Sequence, residues 1–270
     1  MVGSMIKLIC SDVDGTLVPD GSKDINPEYF DVILKLRAKG IQVAIASGRP
    51  ASSISSLFKP IEEKIFFIPA GGSMISTCNR QLYVWGLPRD VWQKMIVQVR
   101  QIPGMEIQLN GTKRSYLETK DEEFWKWVTE GYGIEADRVE DLLQVDDQVV
   151  SVNYYNKDGL IDELMKDFVE EWKDQFKIVR SGIVWLDVLR GDVNKGNAVA
   201  FLQDALGITP EETMVFGDQN NDVEMMSRGR YSCAVANAVP ATKAAARYVI
   251  DSCENEGVLK VLKQLLASLE

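Results

Sequence analysis

The sequence lacks histidine altogether, and this absence excludes whole classes of enzyme. None of its 270 residues is a histidine. Without an imidazole, the chain has no Ser-His-Asp triad, no Cys-His pair, no histidine-ligated zinc and no phosphohistidine intermediate. Any catalysis must therefore use carboxylates, hydroxyls, amines or a hard metal ion.

Cysteines are few, and long apolar runs are missing. The four cysteines are scattered and form no C-x-x-C pair, so the sequence suggests neither a zinc site nor a compact disulfide framework. Scattered cysteines are typically reduced, buried and apolar in character, as in proteins of a reducing compartment. No apolar segment approaches the length of a membrane span. We therefore expect a cytoplasmic protein that does not contact a membrane.

Positive charge is in deficit. Lysine and arginine number 30 against 40 aspartates and glutamates, which gives a formal net charge of −10. A chain of this charge has no broad attraction for nucleic acid, so an anionic ligand must be met by a few local cations. The hydrophobic content of 46% excludes a disordered tail and suffices for a large α/β domain.

Short strand patterns alternate with helical patterns at both ends of the chain. Residues 41–46 and 65–68, for example, predict buried strands on either side of a helix. Such alternation is typical of a parallel sheet with helices on both faces. We therefore predict an α/β fold whose Rossmann-like three-layer core is built from residues 1–80 and 190–270.

The middle of the chain has a different pattern. Its strands alternate polar with apolar residues, as in Val149–Tyr155, which predicts a sheet with one solvated face. Helical patterns lie between these strands. We predict that residues 81–189 form a small α+β domain inserted into the core.

Two carboxylates stand close together at the end of the first predicted strand, in Asp12-Val-Asp14-Gly15-Thr16. The carboxyl ends of parallel strands form the edge where open α/β sheets bind ligands. Neighbouring buried carboxylates need a cation or hydrogen-bond donors, and Mg²⁺ suits oxygen ligands in a chain without histidine. The alternative is an Asp-Gly turn with incidental acids.

Three more motifs follow in order along the chain. Ser47-Gly48-Arg49-Pro50 comes after the second strand and offers a hydroxyl and an N–H to a phosphate, unless Ser47 only caps a helix. Lys195 lies in the first turn of a predicted helix, where the helix dipole disfavours a cation, although a solvated lysine remains open. The segment Gly217–Asp222 follows another buried strand and brings further acids, or forms a simple turn.

These four motifs, in this order, resemble those of the haloacid dehalogenase-like phosphohydrolase superfamily. The insert lies between the third strand and the lysine, which resembles the Cof-type branch with its large type IIB cap domain. Two later segments are also similar to that branch: Ala234-Val-Ala-Asn237-Ala238 and Asn255-Glu-Gly257-Val258. One departure is Ala70-Gly71-Gly72, where Cof-like relatives commonly have Asn-Gly.

The resemblance implies that three residues are catalytic and that two more bind the phosphate. Asp12 would be the nucleophile that becomes an aspartyl phosphate. Asp14 would protonate the leaving group and then act as the base that activates water. Ser47 and the N–H of Gly48 would bind phosphoryl oxygens, and Lys195 would neutralise charge on Asp12 and on the phosphoryl group.

The resemblance also implies Mg²⁺ as the cofactor. The ion would be held by the Asp12 carboxylate, the Asp14 main-chain carbonyl and Asp218. Asp222 would bind the ion through water or orient Lys195. Two further residues would support the site, Thr16 near the metal ligands and Asn221 near the phosphate.

Together these features imply a Mg²⁺-dependent phosphatase of small phosphate monoesters, and sugar phosphates are the first choice of substrate. Nucleotides, pyridoxal phosphate and other small esters stay open, as does the oligomeric state. One alternative is a phosphosugar mutase of the same superfamily. Another is a phosphoacceptor signalling or binding protein, although receiver domains are shorter and have no inserted domain.

Overall fold

The computed structural model describes residues 6–20, 22, 24–180 and 183–269. Contacts between residues divide the chain into two units. The first comprises Met1–Tyr83 and Asn194–Glu270, and the second comprises Val84–Val193. The sequence predicts an insert over residues 81–189, against Val84–Val193 for the second unit.

Strands account for much of both units. In chain order the strands of the described residues are β1 Leu8–Ser11, β2 Gln42–Ala46, β3 Phe66–Ile68, β4 Met74–Thr77, β5 Arg80–Val84, β6 Glu106–Gly111, β7 Ser115–Leu117, β8 Ala136–Arg138, β9 Val149–Tyr155, β10 Phe176–Arg180, β11 Trp185–Arg190, β12 Thr213–Gly217, β13 Tyr231–Val235 and β14 Tyr248–Ile250.

The α-helices of the same residues are α1 Glu28–Ala38, α2 Ala51–Leu57, α3 Arg89–Val99, α4 Glu122–Lys126, α5 Ile161–Leu164, α6 Lys166–Trp172, α7 Lys195–Leu206, α8 Val223–Met226, α9 Pro240–Ala245 and α10 Gly257–Ala267. A π-helical turn, Trp127–Gly131, follows α4. Within the described part of the chain, no helix is long and apolar enough to cross a membrane.

The first unit contains an eight-stranded sheet in the order β14-β13-β12-β1-β2-β3-β4-β5. Its strands are parallel from β14 to β3. The central strands β1 and β12 are buried along their whole length, as parallel strands covered on both faces must be. The predicted α/β fold with a parallel sheet is confirmed.

The strand order reverses direction at β1. From β1 the chain proceeds through β2 to β3 on one side, whereas β12 leads through β13 to β14 on the other side. Connections that depart in opposite directions leave a crevice at the carboxyl ends of the two strands between them. The crevice therefore lies at the ends of β1 and β12.

The second unit contains a six-stranded sheet in the order β10-β11-β9-β6-β7-β8. One face is apolar and packs in a core cluster that includes Leu109, Val152 and Val188. The opposite face carries polar side chains at alternate positions, as the sequence predicts for a solvated face. That expectation holds only for part of the face, because Gln108 is 2% exposed and Asn110 is 4% exposed, whereas Asn153 and Asp187 are partly exposed. Buried polar groups of this kind must find hydrogen-bond partners, and these side chains find them in one another.

Candidate active site

Two aspartates begin the loops that follow the central strands. Asp12 directly follows β1, and Asp218 directly follows β12. The N–H of Asp12 donates to the carbonyl of Phe216 at 3.0 Å, which fixes the end of β1 against β12. Both aspartates are nearly inaccessible, with exposures of 5% and 2%. The fold therefore places two buried carboxylates at the crevice.

Lys195 reaches this pair of strand ends from the start of α7. Its Nζ donates to Oδ1 of Asp12 at 2.6 Å and to Oδ1 of Asp222 at 2.7 Å, and the residue is only 1% exposed. Burial by itself lowers the pKa of Lys195, but the negative charges of Asp12 and Asp222 raise it by more, so the pKa lies above its ordinary value. Lys195 is therefore a buried cation.

The site holds more negative charge than Lys195 balances. Asp12, Asp218 and Asp222 offer carboxylate oxygens that all lie within 4.8 Å of one another. Burial, followed by the charge of Asp222, raises the pKa of Asp12 well above its ordinary value, although Lys195 opposes this. Burial also raises the pKa of Asp218. A second cation would relieve this repulsion.

Hydrogen-bond donors of the protein occupy both carboxylate oxygens of Asp222. Oδ2 of Asp222 accepts the backbone N–H groups of Asp218 and Gln219, both at 3.0 Å, and Oδ1 accepts from Lys195. Both oxygens of Asp222 are thus engaged in bracing the loop and orienting the lysine. Of the two alternatives that the sequence left open for Asp222, the geometry favours the orienting one.

The donor set fits a hard divalent ion such as Mg²⁺. Asp12 and Asp218 supply anionic oxygens, which are the ligands that Mg²⁺ prefers. Thr16 donates its hydroxyl to Oδ1 of Asp218 at 2.9 Å, which orients that carboxylate. Oδ1 of Asn221 is buried and has no hydrogen-bond partner in the described part of the protein. An acceptor left in this state is suited to a ligand or its water.

The side chain of Asp14 lies in an ion pair that the sequence analysis missed. Nε of Arg49 donates to Oδ2 of Asp14 at 2.8 Å, and its NH2 donates to Oδ1 at 2.5 Å. The same NH2 group donates to the carbonyl of Ser22 at 2.7 Å. A two-point pair of this geometry holds a carboxylate firmly. Arg49 belongs to the motif Ser47-Gly48-Arg49-Pro50, but nothing in the sequence indicates that it pairs with Asp14.

Ser47 and Gly48 follow β2, the neighbour of β1, and so lie at the same edge of the sheet. The hydroxyl of Ser47 is fully buried and accepts the N–H of Arg49 at 3.1 Å. Gly48 is exposed, and a Cβ built on it would meet nothing within 4 Å. The loop therefore has open space beside Gly48. The hydrogen bond between the Ser47 hydroxyl and Arg49 stabilises the loop itself.

A tight loop at Ala70–Gly72 connects two of the motifs. The N–H groups of Ala70 and Gly71 donate to the carbonyls of Arg49 and Ser47, both at 2.9 Å. Gly72 has a φ of 104°, and a Cβ there would lie 2.5 Å from the carbonyl oxygen of Asn194, just before Lys195. This segment, where the sequence departs from the Cof pattern, thus packs the loop after β2 against the start of α7.

Known proteins resemble this chain along nearly its whole length. A family model described as haloacid dehalogenase-like hydrolase matches residues 9–262. The 5-amino-6-(5-phospho-D-ribitylamino)uracil phosphatase YbjI of Escherichia coli (strain K12) is 30% identical over 262 residues, which are 97% of this chain and 96% of that protein.

Solved structures show the same architecture. A crystal structure of a protein from Eubacterium rectale matches with a TM-score of 0.88 and 32% identity, over 97% of this chain and 99% of that one. The subclass IIB sugar phosphatase BT4131 shares the fold with a TM-score of 0.78 at 22% identity, over 96% of this chain and 98% of that one. The chain belongs to the haloacid dehalogenase-like hydrolase family, in its Cof-type branch, and is a phosphoric monoester hydrolase.

Proposed function

We propose that the protein is a Mg²⁺-dependent phosphatase that hydrolyses small phosphate monoesters through an aspartyl phosphate on Asp12. The observation that carries this proposal is the buried contact of Lys195 with Asp12 and Asp222, beside the carboxylate of Asp218. A buried lysine beside a strand-end aspartate suits a reaction that brings this anionic carboxylate against an anionic phosphoryl group, because its positive charge stabilises both.

The residues that would hold Mg²⁺ are Asp12 and Asp218 through their carboxylates and Asp14 through its main-chain carbonyl. When bound, the ion supplies positive charge that allows an anionic nucleophile to approach an anionic phosphate. The oxygen-only donors and the excess of buried negative charge support this assignment.

In the first step, a carboxylate oxygen of Asp12 attacks phosphorus, and the bond from phosphorus to the ester oxygen breaks. We assign the attack to Oδ2 of Asp12, because Oδ1 accepts from Lys195. The departing alkoxide takes a proton from Asp14. Ser47, Gly48, Asn221 and Lys195 would bind the phosphoryl oxygens.

In the second step, Asp14 takes a proton from a water molecule, whose oxygen displaces Asp12 from phosphorus. Inorganic phosphate leaves, and the Asp12 carboxylate is restored. Asp14 must exchange its proton with groups other than Arg49, so at least one hydrogen bond of the Asp14–Arg49 pair must open during the cycle. The phosphosugar mutase alternative differs only in the group that accepts the phosphoryl group.

The second unit, Val84–Val193, would select the substrate. On its polar sheet face, Asn153 and Asp187 are cross-strand neighbours, and Nδ2 of Asn153 donates to Oδ1 of Asp187 at 2.7 Å. Asn110 in turn donates to Oδ1 of Asn153 at 2.8 Å and to the hydroxyl of Ser151 at 3.0 Å. A carboxylate oriented by amides is well suited to accept hydrogen bonds from hydroxyl groups.

We therefore propose that the substrates are phosphate esters of sugars or of other polyhydroxylated alcohols. The name of the Escherichia coli relative describes a substrate with a phosphorylated ribityl chain, which belongs to the same chemical class. The sequence-based choice of sugar phosphates falls within this class as well.

A panel of phosphorylated metabolites tests the proposal. Phosphate release is measured with Mg²⁺ and, in parallel, after exhaustive chelation with EDTA. We expect release from sugar and polyol phosphates that stops when Mg²⁺ is removed. Release that continues after chelation would refute the metal assignment. Turnover that requires a sugar bisphosphate and releases little phosphate would support the mutase instead.

A further inference from the structure

Asn237 bridges two segments of the first unit through opposite ends of its side-chain amide. Its Nδ2 donates to the carbonyl of Gly15 at 2.8 Å, and its Oδ1 accepts the N–H of Cys253 at 2.9 Å. Asn237 lies in one of the two later segments that resemble the Cof-type branch, and Cys253 precedes the other. The proposed mechanism gives neither segment a task.

The loop that carries Asn237 also contacts the second metal-binding loop. The N–H of Val239 donates to the carbonyl of Asp218 at 2.8 Å, and the hydroxyl of Thr242 donates to the carbonyl of Gln219 at 2.7 Å. The segment after β13 is therefore hydrogen-bonded both to the loop after β1 and to the loop after β12. Asn237 provides the side-chain contact to the loop after β1.

Gly15 is the point at which the loop after β1 needs such a contact. Its φ is 76°, and a Cβ there would lie 2.4 Å from Oδ2 of Asp218, so the position requires glycine. Glycine has the most conformational freedom of all residues. Its N–H is held by the carbonyl of Val18 at 2.7 Å, and its carbonyl is held by Asn237.

We propose that Asn237 is a positioning residue that fixes the Asp12–Thr16 loop in the geometry needed for Mg²⁺. This inference rests on the proposed function, in which the carbonyl of Asp14, in the peptide next to Gly15, is a ligand of the ion. Mg²⁺ demands nearly ideal octahedral geometry, so a small rotation of the Gly15 peptide weakens its binding. Substitution of residues that orient metal ligands in this way commonly weakens the affinity for the metal by about tenfold or more.

Two substitutions remove one or both of the side-chain hydrogen bonds of Asn237. Asn237→Asp keeps an acceptor for Cys253 but loses the donor to Gly15, and Asn237→Ser removes both long-range bonds without adding charge. Because Asn237 is exposed, neither change leaves a buried cavity. Asn255→Asp is the matched control, since Asn255 is exposed in the neighbouring segment and its side-chain amide donates to Asp251.

The experiment is calorimetric titration of the full-length protein with MgCl₂, together with kcat at saturating Mg²⁺ and the thermal midpoint in EDTA. We expect both Asn237 variants to raise the Kd for Mg²⁺ about tenfold. We also expect kcat at saturating Mg²⁺ and the thermal midpoint in EDTA to stay close to those of the wild type. A general loss of structure would instead lower the midpoint.

Two results would overturn the inference alone. The Kd could be unchanged in both Asn237 variants while the wild type binds Mg²⁺, or it could rise equally in Asn255→Asp, which would assign the increase to a general disturbance of these segments. A wild-type protein that binds no Mg²⁺ would refute the proposed function itself. That last result is distinguishable because it appears before any variant is compared.

Discussion

Nζ of Lys195 lies 2.6 Å from Oδ1 of Asp12, and both residues are buried although they stand 183 positions apart in the chain. An ammonium group at the start of α7 is opposed by the dipole of its own helix. Its two carboxylate partners, Asp12 and Asp222, offset that cost. The contact joins the N-terminal and C-terminal segments of the first unit at the crevice of the sheet.

Replacing Lys195 by methionine should abolish most of the activity. Methionine keeps a similar stem volume but removes the charge that stabilises the transition state, so we expect kcat to fall by a factor of about 10³. The measurement is turnover of p-nitrophenyl phosphate, with circular dichroism to verify folding. Lys263→Met serves as the control, because Lys263 is half exposed and pairs with Glu28 at the surface. A folded Lys195→Met protein with near-wild-type turnover would contradict the assigned role.

Mg²⁺ should stabilise the protein against thermal unfolding. The ion offsets repulsion among the buried carboxylates, and at a concentration 100-fold above its Kd it adds about 2.7 kcal/mol to the free energy of unfolding. We expect Asp218→Asn to lose most of this stabilisation, as measured by the thermal midpoint with MgCl₂ and with EDTA. The control is Asp137→Asn, which alters an exposed aspartate in the second unit. Equal stabilisation of wild type and Asp218→Asn would place the ion elsewhere.

Asp187 should affect the choice of substrate more than the chemistry. Asp187→Asn keeps the shape of the side chain but removes the charge that accepts hydroxyl groups, so KM for a sugar phosphate should rise about tenfold. Turnover of p-nitrophenyl phosphate, which has no hydroxyl groups on its ring, should be little changed. Asp162→Asn alters an exposed aspartate of the same unit and provides the control. Equal losses on both esters would count against the proposed role of the polar face.

Ala70 should be a position where substitution stabilises the fold. Its φ is 48°, in the left-handed region that is unfavourable for residues with a Cβ. Asparagine tolerates this region, and the Cof-like pattern commonly has it near this position. We expect Ala70→Asn to raise the free energy of unfolding by about 1 kcal/mol. Chemical denaturation measures the change, and a destabilised variant would show that the surroundings of residue 70 do not admit the larger side chain.

The sequence predicts the core well because its signals are local. The strand Val149–Tyr155 occurs with the predicted bounds, and Lys195 begins a helix as predicted. The acids were expected at strand ends, and Asp12 and Asp218 directly follow β1 and β12. Periodicity and strand-end position depend on neighbouring residues alone, which is why these features are readable.

Contacts between side chains that are distant in the chain could not be predicted from the sequence. Asp14 and Arg49 are 35 positions apart, and nothing in either motif indicates that one side chain holds the other. The polar face of the second sheet was expected to be solvated because alternation is typical of exposed faces. Its side chains instead satisfy one another, and such a network depends on the register of β6, β9 and β11. Register between distant strands is not encoded in any single segment.

The covalent intermediate on Asp12 is the central claim, and the Asp14→Asn variant tests it most directly. The variant is mixed with p-nitrophenyl phosphate, whose leaving group needs little protonation, and the protein is quenched in acid and digested for mass spectrometry. Because the base for the second step is missing, we expect a hydroxylamine-labile phosphoryl group to accumulate on Asp12. Asp12→Asn should form no adduct under the same conditions. An adduct on another residue, or full turnover by Asp14→Asn, would contradict the mechanism.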